Sequence, residues 1–298
     1  MTVPDDPSQP RHEFIDSDGV RIHYARLGSG QTPLVLLHGW PEFWLTWLPL
    51  MERLGERGFD LVAPDLRGFG DSDKPDSGPS DRAGIAVHAQ DVHALIDALG
   101  LDRVGLVAHD VGAYVAQQLA RQAPDRLVGL FFFDCPYPGI GARWVDTGSL
   151  REIWYQSFHL QPWAAQLVGA SRETCRLYIG HFLTHWAGGD PHAFDDALDD
   201  FVDKFLEPGN LQGGFNWYIS QHAARMATIR GEVPPQPRIT VRTRIRWGDR
   251  DPVLPYSWTD RLSEYFEDLD LQPFAGSGHF PHREDPDRAA DEIARFFG

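Results

Sequence analysis

The chain is expected to form an α/β fold: a mostly parallel sheet with helices on both faces, interrupted by an inserted helical segment. Three observations carry that expectation. Short apolar runs at residues 33–37, 59–63, 104–108 and 127–133 are each closed within two residues by Gly, Pro or Asp, as strands buried on both faces are. Helix-like segments alternate with them, which is the signature of a parallel sheet. Beyond Pro136 the pattern stops for about a hundred residues, with no strand-like run, and then resumes.

Taken in order, residues 1–11 are polar and Pro-rich and read as a tail, and 13–27 alternate about Asp18-Gly19, a hairpin signal. Among the helical segments, 88–99 places Val92, Leu95, Ile96 and Leu99 on one face, and 113–122 follows the third buried run. Residues 137–235 are rich in Trp, Phe, His and Ala and read as a helical cap, with 230–238, which holds Pro234, Pro235 and Pro237, as its return hinge. Strands at 243–247 and 269–274 and a helix at 285–297 complete the core, so the domains are 1–136 with 236–298 as core and 137–235 as cap or lid. There are no internal repeats.

The sequence has 298 residues, with 43 Asp and Glu against 27 Lys and Arg and a net charge of −16. Such a field repels phosphate backbones and anionic membranes, so neither nucleic acid nor a membrane is expected as a partner. No apolar stretch approaches the roughly 20 residues of a membrane span, and the first residues do not read as a secretory signal. Two cysteines, Cys135 and Cys175, make no disulfide framework, so a reduced, cytoplasmic setting is expected. A homodimer remains open.

The most informative segment is Ala108-His109-Asp110-Val111-Gly112. A buried strand enters a helix through a tight turn flanked by small residues, the geometry of a G-x-S-x-G nucleophile elbow with aspartate in the serine position. The turn presents Asp110 over a helix N-terminus, which favours an ionised carboxylate. The plainer alternative is a helix-capping Asp.

From these residues the chain resembles the α/β-hydrolase superfamily, and in particular its epoxide hydrolase branch, over about residues 13–298. The resemblance implies an eight-stranded, mostly parallel sheet with an inserted helical cap. His38-Gly39-Trp40-Pro41 resembles the family's oxyanion-hole segment, which implies backbone N–H donors at Trp40 and Val111. Asp65-Leu66-Arg67-Gly68-Phe69-Gly70-Asp71-Ser72 is a loop signature, read as scaffold with a local ion pair. The remaining triad members follow in the order acid, then histidine. Asp251 of Gly248-Asp249-Arg250-Asp251-Pro252 is implied as the acid, with Asp249 and Asp134 as alternatives. His279 is implied as the base ahead of His282. His38 and His109 are read as hydrogen-bonding their loops. His181 and His185, four apart on a helix, lack the glutamate of a zinc motif, so no metal and no cofactor is expected.

Two cap segments choose the reaction. Trp154-Tyr155-Gln156-Ser157-Phe158 and Phe215-Asn216-Trp217-Tyr218 resemble those that carry the branch's catalytic phenols, which implies Tyr155 and Tyr218. Opening an epoxide builds negative charge on its oxygen, and a phenol, neutral at pH 7, can hold that oxygen and give it a proton. The implied function is hydrolysis of an epoxide to a vicinal diol by way of an ester on Asp110. The aromatic cap suggests an apolar pocket for an uncharged epoxide, lined by Trp154, Phe158, Trp217 and Phe280. Small-molecule epoxide and water are thus the expected partners.

Three rivals share parts of this pattern. A haloalkane dehalogenase needs side-chain N–H donors for halide; Val111 has none, although the Trp40 indole has one. Fluoroacetate-type enzymes need arginines beside the nucleophile, and Val111 and Tyr114 supply none. A non-catalytic ligand-binding member of the fold would have no need of Asp110, His279 and Asp251 together.

Overall fold

The computed structural model describes residues 9–75 and 84–298. The chain opens on a hairpin of β1 (Arg11–Ser17) and β2 (Val20–Leu27), with Ser17 opposite Val20. Asp18 (φ 52°) and Gly19 (φ 76°) both take the left-handed conformation that a two-residue turn of matching twist requires. Arg11 already belongs to β1, so the tail expected at 1–11 ends sooner; residues 1–8 lie outside the described residues.

β3 (Thr32–Leu37) is followed by α1 (Leu48–Gly55), β4 (Phe59–Pro64), α2 (Ile85–Ala98), β5 (Val104–His109), α3 (Val111–Gln122) and β6 (Leu127–Phe133). Every residue of β4 and β5 is buried, as strands covered on both faces are, and Asp60 within β4 is paired with Arg26 at 2.7 Å. The five helices α4 (Leu150–Phe158), α5 (Ala164–Val168), α6 (Arg172–His185), α7 (Leu198–Leu206) and α8 (Asn210–Ile229) are inserted before β7 (Thr243–Gly248). The chain closes with β8 (Leu269–Phe274), α9 (Pro281–Glu284) and α10 (Pro286–Phe297), whose N-terminus is capped by the Asp285 carboxylate accepting from the Arg288 N–H at 3.1 Å.

The eight strands form one sheet in the order β1-β2-β4-β3-β5-β6-β7-β8. β1 and β2 are antiparallel to their neighbours and the other pairings are parallel, so the eight-stranded, mostly parallel sheet is present. Each face carries its own core. On one, α1 and α10 pack Leu50, Leu54, Ile293 and Phe297 against Leu34, Leu36 and Phe131. On the other, α2 and α3 cover Val35, Leu37 and Leu106, and this core runs on into the inserted helices through Tyr155, Phe182 and Trp186. β5 lies mid-sheet, and its carboxyl end points at the insertion, the place where open α/β sheets bind ligands.

Candidate active site

At the end of β5 the backbone turns into α3 through Asp110, whose φ of 46° and ψ of −112° are unusual for a residue with a side chain. Such a conformation costs about 1–3 kcal/mol and persists because both neighbours are fixed in buried elements. The small flankers have a physical reason. A Cβ at Gly112 would come within 2.3 Å of the Leu37 carbonyl oxygen, and one at Gly39 within 2.8 Å of the Asp110 Cβ, the Glu42 carboxylate and the His109 ring. The turn therefore closes only if those positions have no side chain.

Asp110 Oδ1 accepts the Trp40 backbone N–H at 3.1 Å, and Oδ2 lies 3.9 Å from His279 Nε2. Val111 begins α3, where backbone N–H groups have no intrahelical acceptor. His279 is buried, and its backbone N–H donates to the Trp186 carbonyl at 2.8 Å. On the far side of its ring, Nδ1 lies 2.7 Å from Asp251 Oδ2. Burial pulls the imidazole pKa down, but the bonded Asp251 carboxylate and then Asp110 outweigh it, and the net displacement is upward from the ordinary histidine value.

Of the three candidate acids, Asp251 is the one bonded to the ring. Its Oδ1 accepts the N–H groups of Val253 (2.8 Å) and Leu254 (2.9 Å), which fixes the carboxylate plane. Asp249 points elsewhere and accepts the Gly276 N–H at 2.7 Å. Asp134 lies behind, with Oδ1 accepting the Gly248 N–H at 3.0 Å. Burial and then Asp251 hold its pKa well above the usual carboxylate range, so it stands as a neutral acid facing Asp251. Its Oδ2 is buried and meets no donor.

A second buried network lies beneath. Glu42 accepts the Gly39 N–H at 2.8 Å, meets His109 Nδ1 at 2.7 Å and contacts His282 Nε2 at 3.0 Å. His109 Nε2 then lies 2.7 Å from the His279 carbonyl oxygen. This accounts for His109 and removes His282 as the base, since burial drops the His282 pKa to about 4 and its ring packs on Trp47. His38 contacts the Gly39 carbonyl at 2.8 Å and accepts the Leu66 N–H at 3.0 Å. In the loop after β4, Asp65 accepts the N–H groups of Trp44 and Asp71, each at 2.8 Å. Arg67 forks onto Asp91 of α2, so the loop's ion pair is not local as expected but ties it to the next helix. In α6, the His181 and His185 rings stack, and His185 Nε2 lies 2.7 Å from Glu152.

Over the elbow hang two phenols. Tyr155 (α4) lies flat on the Trp40 indole, with centroids 5.0 Å apart and planes at 5°, and accepts from Gln156 Nε2 at 3.1 Å. Tyr218 (α8) meets Tyr155 edge-on, with ring centroids 5.5 Å apart. Burial raises both phenol pKa values; for Tyr155 the Asp110 charge adds to it, and for Tyr218 the neighbouring phenol and Asp110 do. Both are therefore neutral donors at any physiological pH.

Comparison with known proteins identifies the family. A family model described as alpha/beta hydrolase fold matches residues 32–286. The chain is 30% identical over 304 residues to the soluble epoxide hydrolase of Corynebacterium sp. (strain C12), covering 96% of each. The chain belongs to the α/β-hydrolase family, on its epoxide hydrolase branch. It is also 44% identical over 237 residues to epoxide hydrolase 2 of Siraitia grosvenorii, covering 70% of this chain and 71% of that one. Among solved structures it is similar to the epoxide hydrolase CorEH without ligand, at a TM-score of 0.81 and 30% identity, covering 97% of this chain and 99% of that one.

The elbow opens into a cavity of about 230 Å³ between α3 and the inserted helices. Asp110, Val111, Tyr155, Trp217 and Tyr218 line it. Three residues expected there do not. Trp154 lies on the outer face of α4, 42% exposed, against Phe182 and Phe158. Phe158, one turn on, faces Tyr178 and Trp163. Phe280 is buried under the site, between His279 and Phe194. Helical phase explains the first two: Tyr155 points inward, so its neighbour Trp154 is turned about 100° away. Sequence reasoning missed Tyr114 and Arg225, which also line the cavity. Arg225 lies seven residues beyond Tyr218 on α8, a same-face spacing that could have found it.

Proposed function

We propose that this chain hydrolyses epoxides to vicinal diols through a covalent ester on Asp110. The observation that carries the reading is one cavity with an elbow carboxylate on its floor, a buried histidine 3.9 Å away and two phenols in edge-on contact above. The naming of its relatives as epoxide hydrolases supports it.

Ionised Asp110 attacks an epoxide carbon. The new carboxylate C–O bond forms as the ring C–O bond breaks, and the alkoxide takes a proton from Tyr155 or Tyr218. His279, oriented by Asp251, then removes a proton from water, which attacks the Asp110 carbonyl carbon. The tetrahedral oxyanion develops beside the Trp40 N–H, already 3.1 Å from Oδ1, and the Val111 N–H. Collapse expels the second alkoxide, which takes the His279 proton, and the proton left over restores the phenol. We read the segment 137–235 as a cap that carries the phenols to the core. Halide release is less well served, because Val111, next to the nucleophile, offers no side-chain donor.

A single turnover with excess enzyme in heavy-oxygen water tests the proposal. The first diol should carry no label from solvent, and the label should appear in the peptide holding Asp110. Label in the diol and none in the peptide would mean that water opens the ring directly.

A further inference from the structure

The cavity lining is charged against the sign of the protein. The chain carries a net charge of −16, yet among the described residues the lining holds one carboxylate, Asp110, and two guanidiniums, Arg121 and Arg225. Arg121 is partly committed, its Nε to the Pro237 carbonyl at 3.1 Å and its Nη1 to the Gln117 carbonyl at 3.2 Å. Arg225 has no hydrogen bond or ion pair among the described residues, and its Nε is buried without an acceptor. Its guanidinium lies 4.6 Å over the Trp144 ring, which holds a cation in place without neutralising it. Beside it, the Tyr114 hydroxyl also lines the cavity and feels the Arg225 charge.

A half-buried cation with one N–H out of reach of water and no ion pair among the described residues gains by meeting an anion. An arginine fork beside a phenol matches a carboxylate, which accepts two parallel N–H bonds. We infer that Arg225, with Tyr114, binds a carboxylate on the substrate, so that the enzyme acts on epoxy acids rather than on the uncharged epoxides its aromatic cap suggests. This rests on the epoxide reading of Asp110. Arg225 stands two turns beyond Tyr218 on α8, a rise of about 10 Å, and helical side chains lean back toward the N-terminus. The carboxylate should then lie within about that distance of the epoxide oxygen.

The test compares ω-epoxy carboxylates of increasing chain length with their primary amides. Wild-type protein should favour the acid in kcat/KM, most strongly at one length. Arg225→Gln should lower the acid-to-amide ratio by about 10- to 100-fold, the scale of losing charge-assisted bonds, and Arg225→Lys should recover part of it. A wild-type preference for the amide, or a ratio unchanged in Arg225→Gln, overturns the inference. Calorimetric binding of the dihydroxy acid and its amide gives a readout that needs no turnover. Acid-selective binding lost in Arg225→Gln, with neither epoxide consumed, would uphold the anion subsite while sinking the epoxide reading.

Discussion

Replacing Asp251 by Asn separates the two halves of the proposed reaction. The Asp251 carboxylate is held by the N–H groups of Val253 and Leu254 on Oδ1, at 2.8 and 2.9 Å, and faces the His279 ring with Oδ2 at 2.7 Å. An asparagine keeps both backbone bonds only with its carbonyl at the Oδ1 position, which turns its NH2 toward the imidazole. The ring must then show that NH2 a lone pair at Nδ1 and carry its proton on Nε2, the nitrogen facing Asp110, where it can no longer take one from water. The opposite amide orientation leaves two buried N–H donors facing an NH2, at about 1–3 kcal/mol each. A total of about 2–6 kcal/mol corresponds to a loss of between one and four powers of ten in rate. Only ester hydrolysis needs that base; ring opening needs Asp110 and the phenols. Rapid-quench mass spectrometry of the intact variant should therefore find the protein heavier by one epoxide, formed at close to the wild-type rate and slow to disappear. Wild-type turnover, or lost turnover without the adduct, would refute the reasoning.

Other perturbations act on neighbouring groups. Tyr155→Phe or Tyr218→Phe should slow ring opening by about a hundred- to a thousandfold without slowing hydrolysis of an ester already formed, as stopped-flow single turnovers would show; an unaffected double variant would remove the phenols from the chemistry. The His279 cation is favoured by Asp110 as well as Asp251, and the base must be neutral, so activity should fall on the acid side from above about pH 6.5. In Asp110→Asn the imidazole should titrate lower by NMR, and identical titrations would show that the two groups do not interact. The fold raises the Asp134 pKa, so the native state keeps a proton that the unfolded chain releases once pH passes the usual carboxylate range. Its stability contribution is fullest in acid and declines as pH rises. Asp134→Asn should gain thermal stability relative to wild type between about pH 5 and pH 8; a melting-temperature difference constant over that interval would count against a neutral Asp134.

The sheet was legible because strands buried on both faces read as short apolar runs, and β5 and β6 begin where those runs begin. Elbow, acid and histidine were legible because each is bound to a local turn: Gly112 and Gly39 are required by contacts a few residues away in space. The cavity wall was harder. Trp154 and Phe158 have the right chemistry on the wrong face of α4, and only the packing of α4 against α6 sets that phase. Arg225 is remote from Asp110 in sequence, and only the fold brings it to the same cavity, from α8. Asp134 and Asp251 lie more than a hundred positions apart, and their closeness, which raises the Asp134 pKa, follows from β6 and β7 being neighbours.

The stacking of Tyr155 on Trp40, one from the inserted helices and one from the loop after β3, has a consequence for how such an enzyme changes. In the proposed reaction, electrophilic assistance hangs from one layer of the molecule, while nucleophile and base stand together in the other. Loops and helices above can be remodelled to admit a new substrate without disturbing the machinery that regenerates the enzyme. The aromatic clasp marks the seam along which the two have to be refitted.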